Sequence, residues 1–133
     1  MPGVSGSSVP ESHFELLTST ALAHVATLGP DGQPQSTPVW FDWDGSRLRI
    51  GLASDRQKLR NLRRDPRLAV SIANPAIPGH YIELRGTATF EEEDPDRTVL
   101  ARMVARYTGS ADLSWVTGAR TIIALEPTHV TFQ

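Results

Sequence analysis

Residues 54–67, SDRQKLRNLRRDPR, gather Arg56, Lys58, Arg60, Arg63, Arg64 and Arg67 around two carboxylates, Asp55 and Asp65. The segment therefore carries +4, and a net charge of −2 leaves the rest of the chain at −6. A general nucleic-acid binder would present a broad basic face. One short basic segment on an acidic chain points instead to a local anion site, or to a solvated helix face. The local context favours the anion site for the first third of the segment. A strand pattern ends there and a helix pattern begins. A helix start offers backbone N–H groups without partners and the positive end of the dipole. Ser54 adds a hydroxyl donor, and Arg56 and Lys58 add charge, which together make a phosphate cradle. Lys58 is the single lysine beside twelve arginines, which hints at a need for a compact ammonium. Arg60, Arg63 and Arg64 lie further along and read as solvated charges.

Two further stretches could meet a ligand. In QSTPVWF, residues 35–41, Ser36 and Thr37 lie beside Trp40, and Pro38 interrupts a strand pattern. Proline removes a ladder donor, so that position belongs at an edge, at a bulge or where a ligand approaches. His80-Tyr81 stands at the start of a long strand, where packing at an interface is the plainer role. Hydrolase and metal chemistry find little support. Gly-x-Ser-x-Gly, His-Glu-x-x-His, the Walker loop and Gly-x-Gly-x-x-Gly are all absent. His13, His24, His80 and His129 have no metal-ligand spacing, and His24 reads as a core or interface histidine. Glu91, Glu92 and Glu93 alternate faces and make a solvated edge rather than an acid–base pair. The absence of cysteine removes disulfides and thiol chemistry and fits a cytoplasmic protein.

The elements that would position these residues are mostly strands. A short helical pattern with Phe14, Leu16 and Leu17 as its apolar side leads into TALAHVATLG, a strand covered on both faces. QSTPVWFDW and SRLRIGLAS flank Asp44-Gly45, a hairpin signal. A helix over residues 55–64 has Ser54 or Asp55 as N-cap and Leu59 and Leu62 as its buried pair, and Pro66 ends it. RLAVSIA and YIELRGTATFEE follow as strands. DPDRTVLARMVARYTG is the strongest helix, with Asp94 as cap, Pro95 in the first turn and Gly109 at its stop. RTIIALEP and THVTF close the chain. Six or seven strands in direct succession imply antiparallel pairing and a barrel that hides its edges. The length of 133 residues suits one domain, taken as residues 11–133 behind a flexible tail of residues 1–10. No apolar run reaches a membrane span, and the N-terminus lacks the basic start and apolar core of a secretory signal.

Taken in order, STALAHVATLGPDGQPQSTPVWF, LASDRQKLRNLRRDPRLAVSI, HYIELRGTATF and RTIIALEPTHV resemble the split β-barrel flavin and deazaflavin oxidoreductases. This is the superfamily of pyridoxamine 5′-phosphate oxidase. RQKLRNLRRDPR is similar to the branch that uses the deazaflavin coenzyme F420. The resemblance implies a mainly β fold: a six-stranded antiparallel split β-barrel with two or three short helices, forming a homodimer with the cofactor groove at its interface. It implies that Arg56, Gln57 and Lys58 hold the cofactor phosphate. Gln35, Ser36, Thr37, Pro38 and Val39 would line the ring and ribityl chain, and His80 and Tyr81 would reach in from the partner subunit. Gln57 replaces an arginine found beside the lysine in pyridoxamine phosphate oxidases, and QSTPVW lacks their cations, which favours F420 over FMN. The implied activity is hydride transfer from reduced F420 to a small unsaturated or quinone-like substrate, with no metal and no catalytic triad. Solvent, Tyr81 or His80 would give the proton. The alternatives are an FMN-dependent oxidoreductase of the same fold and a non-catalytic F420-binding or storage protein. Neither nucleic acid nor membrane is an expected partner.

Overall fold

Strict alternation of large apolar with small or polar residues builds the sheet. Val25, Leu68, Val70, Ile72, Ile82 and Leu84 are buried, while their neighbours in sequence turn to the other face. The computed structural model describes residues 3–4, 8–53, 55–91, 97–116, 118 and 120–133. Its strands are β1 (Gly3–Val4), β2 (Ala23–Leu28), β3 (Pro34–Val39), β4 (Asp42–Trp43), β5 (Leu48–Ala53), β6 (Arg67–Ala73), β7 (Tyr81–Glu91), β8 (Arg120–Leu125) and β9 (His129–Phe132). Its α-helices are α1 (Phe14–Leu17), α2 (Gln57–Arg64) and α3 (Thr98–Thr108), and a short 3-10 turn, Glu11–His13, runs into α1.

The strands run in the order β3-β2-β6-β7-β8-β5-β4, and β9 pairs with β7 and with β1. Every pairing is antiparallel. The result is a mainly β, curled half-barrel with nine strands among the described residues, where the strand patterns suggested six or seven and the resemblance implied six. The strands beyond those patterns are the two-residue β1 and β4, while β9 is the expected THVTF strand; the other six are each six residues or longer. β7 joins the two halves of the curl. Its first part pairs with β6 up to Thr87 and with β9 up to Arg85. Its second part, from Ala88, pairs with β8. Gly86 sits at the change of partner. A Cβ there would stand 2.7 Å from Leu125 Cδ1 and 2.9 Å from the Glu126 carbonyl oxygen.

The expected single strand QSTPVWFDW is two strands. β3 pairs with β2, and β4 pairs with β5. Between them the fully buried Phe41 drives the chain from one half of the curl to the other. The Asp44-Gly45 turn is accordingly a four-residue loop between Trp43 and Leu48. Asp44 organises it, accepting from the Ser46 and Arg47 N–H groups at 2.9 and 2.6 Å. Burial pushes its carboxyl up, but these bonds and the Arg49 guanidinium hold it far below the usual carboxylate range. In α1, Leu16 and Leu17 are buried but Phe14 is exposed, because so short a helix turns only one side inward. His24 is also exposed rather than in the core, since β2 buries only Ala23, Val25 and Thr27. α3 ends on Gly109 at φ 74°, and its expected cap residues Asp94 and Pro95 lie outside the described residues, as do Glu92 and Glu93. Glu91 is ion-paired with Arg49 at 3.1 Å, not simply solvated.

Gly86→Ala should lower unfolding stability by about 1–3 kcal/mol, because the added methyl overpacks the corner. Gly51→Ala meets only Ile122 Cδ1 at 3.5 Å and Met103 Cε at 3.6 Å and should change stability by less than about 0.5 kcal/mol. Urea denaturation of the two variants side by side reads the contrast.

Candidate functional site

α2 forms because Leu59 and Leu62 face the core one turn apart, with Asn61 buried between them. It begins later than the sequence suggested. Arg56, in an extended conformation, is the N-cap, and no side chain caps the helix. Asp55 therefore does not serve as cap; its carbonyl instead accepts from Arg60 at 2.7 Å. Ser54 lies outside the described residues. The first intrahelical bonds run from the Leu59 and Arg60 N–H groups to the Arg56 carbonyl, which leaves the N–H groups of Gln57 and Lys58 at the open helix start.

Lys58 joins two of the candidate stretches. Its ammonium donates to Thr37 Oγ1 at 2.5 Å, so the start of α2 lies directly against β3. Burial and then the Arg56 charge push the Lys58 pKa below the usual lysine value. None of the ion pairs among the described residues includes Arg56 or Lys58. Two cations, a hydroxyl and an open helix start thus lie together, and no carboxylate among the described residues is ion-paired with either cation. β3 is the end strand of the sheet order, so Pro38 occupies the edge position that its missing N–H requires. Gln35, Thr37 and Val39 are half-buried, whereas Ser36 and Pro38 are exposed on the other face.

The sequence did not reveal the residue that locks this site. Asn61 is fully buried. Its amide nitrogen donates to Thr27 Oγ1 and Gln35 Oε1, both at 3.0 Å. Its amide oxygen accepts from Gln57 Nε2 at 2.7 Å and from Arg64 at 3.2 Å. One side chain therefore ties α2 to β2 and β3. The available signal was a polar residue between two core leucines, four positions after Gln57. Arg64 also donates to the Leu28 carbonyl at 2.8 Å, and Arg63 lies over the Phe90 ring at 4.8 Å. These arginines hold structure as well as face solvent.

His80 and Tyr81 lie elsewhere. The His80 ring stacks on buried His13 with centroids 4.2 Å apart, and the Tyr81 backbone pairs with Gln133. β7 is three positions from β3 in the sheet order, which is roughly 14 Å at the usual strand spacing.

The fold and this site define a class. The family model described as pyridoxamine 5′-phosphate oxidase matches residues 9–133. The chain belongs to that family. A solved F420 reductase is 36% identical, with 92% of this chain and 98% of that one covered and a TM-score of 0.76. An FMN-binding protein of Nitratidesulfovibrio vulgaris (strain Miyazaki F) is 26% identical over 71% of this chain and 84% of its own length. A conserved hypothetical protein of Mycobacterium tuberculosis shares the fold, at 24% identity and a TM-score of 0.77, with 95% of this chain and 86% of that one covered.

Asn61→Ala should cost about 1–3 kcal/mol, because Thr27, Gln35 and Gln57 each lose a bond near the core. Arg63→Ala should cost far less. Chemical denaturation of both variants checks the ranking.

Proposed function

We propose that this protein is an F420H2-dependent reductase that passes a hydride to a small unsaturated or quinone-like acceptor. The observation that carries this reading is the unneutralised pairing of Lys58 with Thr37 at the uncapped start of α2. A cofactor phosphate fits there. Lys58 and Arg56 would supply the charge, and the Gln57 and Lys58 N–H groups the hydrogen bonds. The edge strand from Gln35 to Val39 would take the ring and ribityl chain, since it offers unpaired backbone on one side. When bound, reduced F420 supplies a hydride; the acceptor gains that hydride and one proton. The chain's own share is to orient ring and acceptor and to exclude water.

The choice of F420 over FMN is supported by the greater identity and coverage of the F420 reductase likeness. FMN is the second reading, favoured by the FMN-binding relative. His80 and Tyr81 lie across the sheet from β3 of their own chain, so a role for them at the cofactor would require a second copy, as in a homodimer. Sedimentation of the purified protein at the mass of two chains is the expected result.

Titration with F420 and with FMN, followed by turnover of F420H2 with a panel of quinones and enones, tests the reading. Tight F420 binding with oxidation of F420H2 is expected. Protein that keeps FMN through gel filtration and ignores F420 would sink it. F420 binding without turnover across the panel would point to a storage role. Lys58→Ala should weaken F420 binding by about 1.5–3 kcal/mol, the size of a lost charge-assisted bond. Arg63→Ala should leave it nearly unchanged. Affinity should also fall as pH rises, and earlier than an ordinary lysine would dictate. The folded Lys58 pKa is lowered, so the free protein loses the charge that attracts the phosphate at lower pH.

A further inference from the structure

A second concave site lies between α3, the 112–116 segment and the outer face of β5 and β8. It encloses about 220 Å³ and is lined by Trp40, Leu100, Met103, Trp115, Val116 and Arg120, with Gly51 completing the wall. That is smaller than a site for a whole drug-sized ligand and suits one small ring system. Its walls are aromatic and held in place. Trp40 stacks on Tyr107 with centroids 4.9 Å apart and rings 2° from parallel. Trp115 stands edge-on to Trp40 at 6.4 Å and 82°. Tyr107 is fixed in turn, its hydroxyl donating to the Ala21 carbonyl at 2.7 Å. Trp115 remains 56% exposed although its indole N–H is bound to the Asp112 carbonyl at 2.9 Å. A large apolar side chain pinned open at the mouth of an apolar cavity provides a stacking surface.

Arg120 supplies the polar group. Its Nε is buried and has no hydrogen-bond partner. Arg106 Nε shares that condition, but the Arg106 guanidinium lies over the Phe41 and Tyr107 rings and donates to the Phe41 carbonyl. Arg120 makes none of these ring contacts, and no ion pair among the described residues includes it. Arg120 is half-buried and lines the pocket, so its guanidinium can donate to an oxygen on an incoming molecule, a charge-assisted bond in a site that holds no competing ion pair among the described residues. The register places Arg120 opposite Ala53, the last residue of β5 before the basic segment. Trp40 directly follows Val39, the end of the strand assigned to the cofactor.

We propose that this pocket binds a small planar aromatic or quinone-like molecule that carries an acidic oxygen. The ring lies against Trp40 and Trp115, and the oxygen accepts from Arg120. Taking that molecule as the hydride acceptor rests on the reductase reading above; its binding to the pocket does not.

The test uses 2-naphthoate with the full chain and no cofactor, followed through the indole N–H signals of the three tryptophans. Trp40 and Trp115 should shift on titration while Trp43, in β4, stays still. Arg120→Gln, and separately the neutral probe 2-naphthamide, should each weaken binding by roughly tenfold or more, as loss of a charge-assisted bond predicts. Trp115→Ala removes an exposed side chain, should leave the fold intact, and should also weaken binding. The proposal is overturned if naphthoate leaves the Trp40 and Trp115 signals unmoved, or moves Trp43 equally. It is likewise overturned if amide and acid bind alike, or if Trp115→Ala binds as the parent does. F420 affinity is measured on the same variants, so a protein that fails to bind F420 but binds naphthoate refutes the cofactor reading and leaves the pocket standing.

Discussion

The structure depends on one close approach, where β7 changes partners. β7 belongs to both halves of the curl, and Leu125 and the Glu126 carbonyl occupy the space that a Cβ at residue 86 would need. Glycine at residue 86 lets β7 lie this close to Leu125 and the Glu126 carbonyl without forcing either to shift. Everything about the site follows from that approach. β5 lies beyond β8 in one half, and β2 and β3 lie beyond β6 in the other. α2 is the connection from β5 to β6, so it must cross from one half to the other. Its start therefore lands beside β3, and Lys58 reaches Thr37 across 21 positions of sequence.

Much of this was legible in the sequence because it rests on local chemistry. Alternation in RLAVSIA and YIELRGTATFEE marks β6 and β7 with their buried faces, and Gly109 marks the end of α3. Pro38 signals an edge, and β3 is one. Two of the differences turn on contacts distant in sequence, and one is local. The break between β3 and β4 is set by the burial of Phe41 under Tyr107 and Arg106, which nothing in QSTPVWFDW announces. The local difference is the N-cap: it is Arg56 rather than Ser54 or Asp55, and Arg60, five positions on, donates to the Asp55 carbonyl. Asn61 went unnoticed because an asparagine in a basic helix looks like surface until Thr27 and Gln35 are brought to it.

The basic segment also resolves into separate parts. Arg67 pairs with Asp65 at 2.6 Å, and its carboxyl partner is held down to about 2 by that guanidinium. Arg64 and Arg60 bind backbone carbonyls, and Arg63 covers Phe90. Among the described residues, Arg56 and Lys58, the two cations at the helix start, have neither a carboxylate, a carbonyl nor a ring as partner. The +4 of the segment is thus not a uniform field. Most of it is spent on fastening α2 to its neighbours.

Gln57 gains a different meaning from this. Its amide oxygen accepts from Arg60 at 2.7 Å while its nitrogen donates to Asn61 at 2.7 Å. An arginine at this position has no acceptor to offer Arg60. It would also set three consecutive cations at one helix start, where the dipole is already positive. The side chain is therefore fixed by the helix's own network, and only its backbone N–H is left to face an anion. The restraint of charge beside Lys58 follows from the way Asn61 anchors the helix. Two cations and open N–H groups at the start of α2 are what that anchoring leaves.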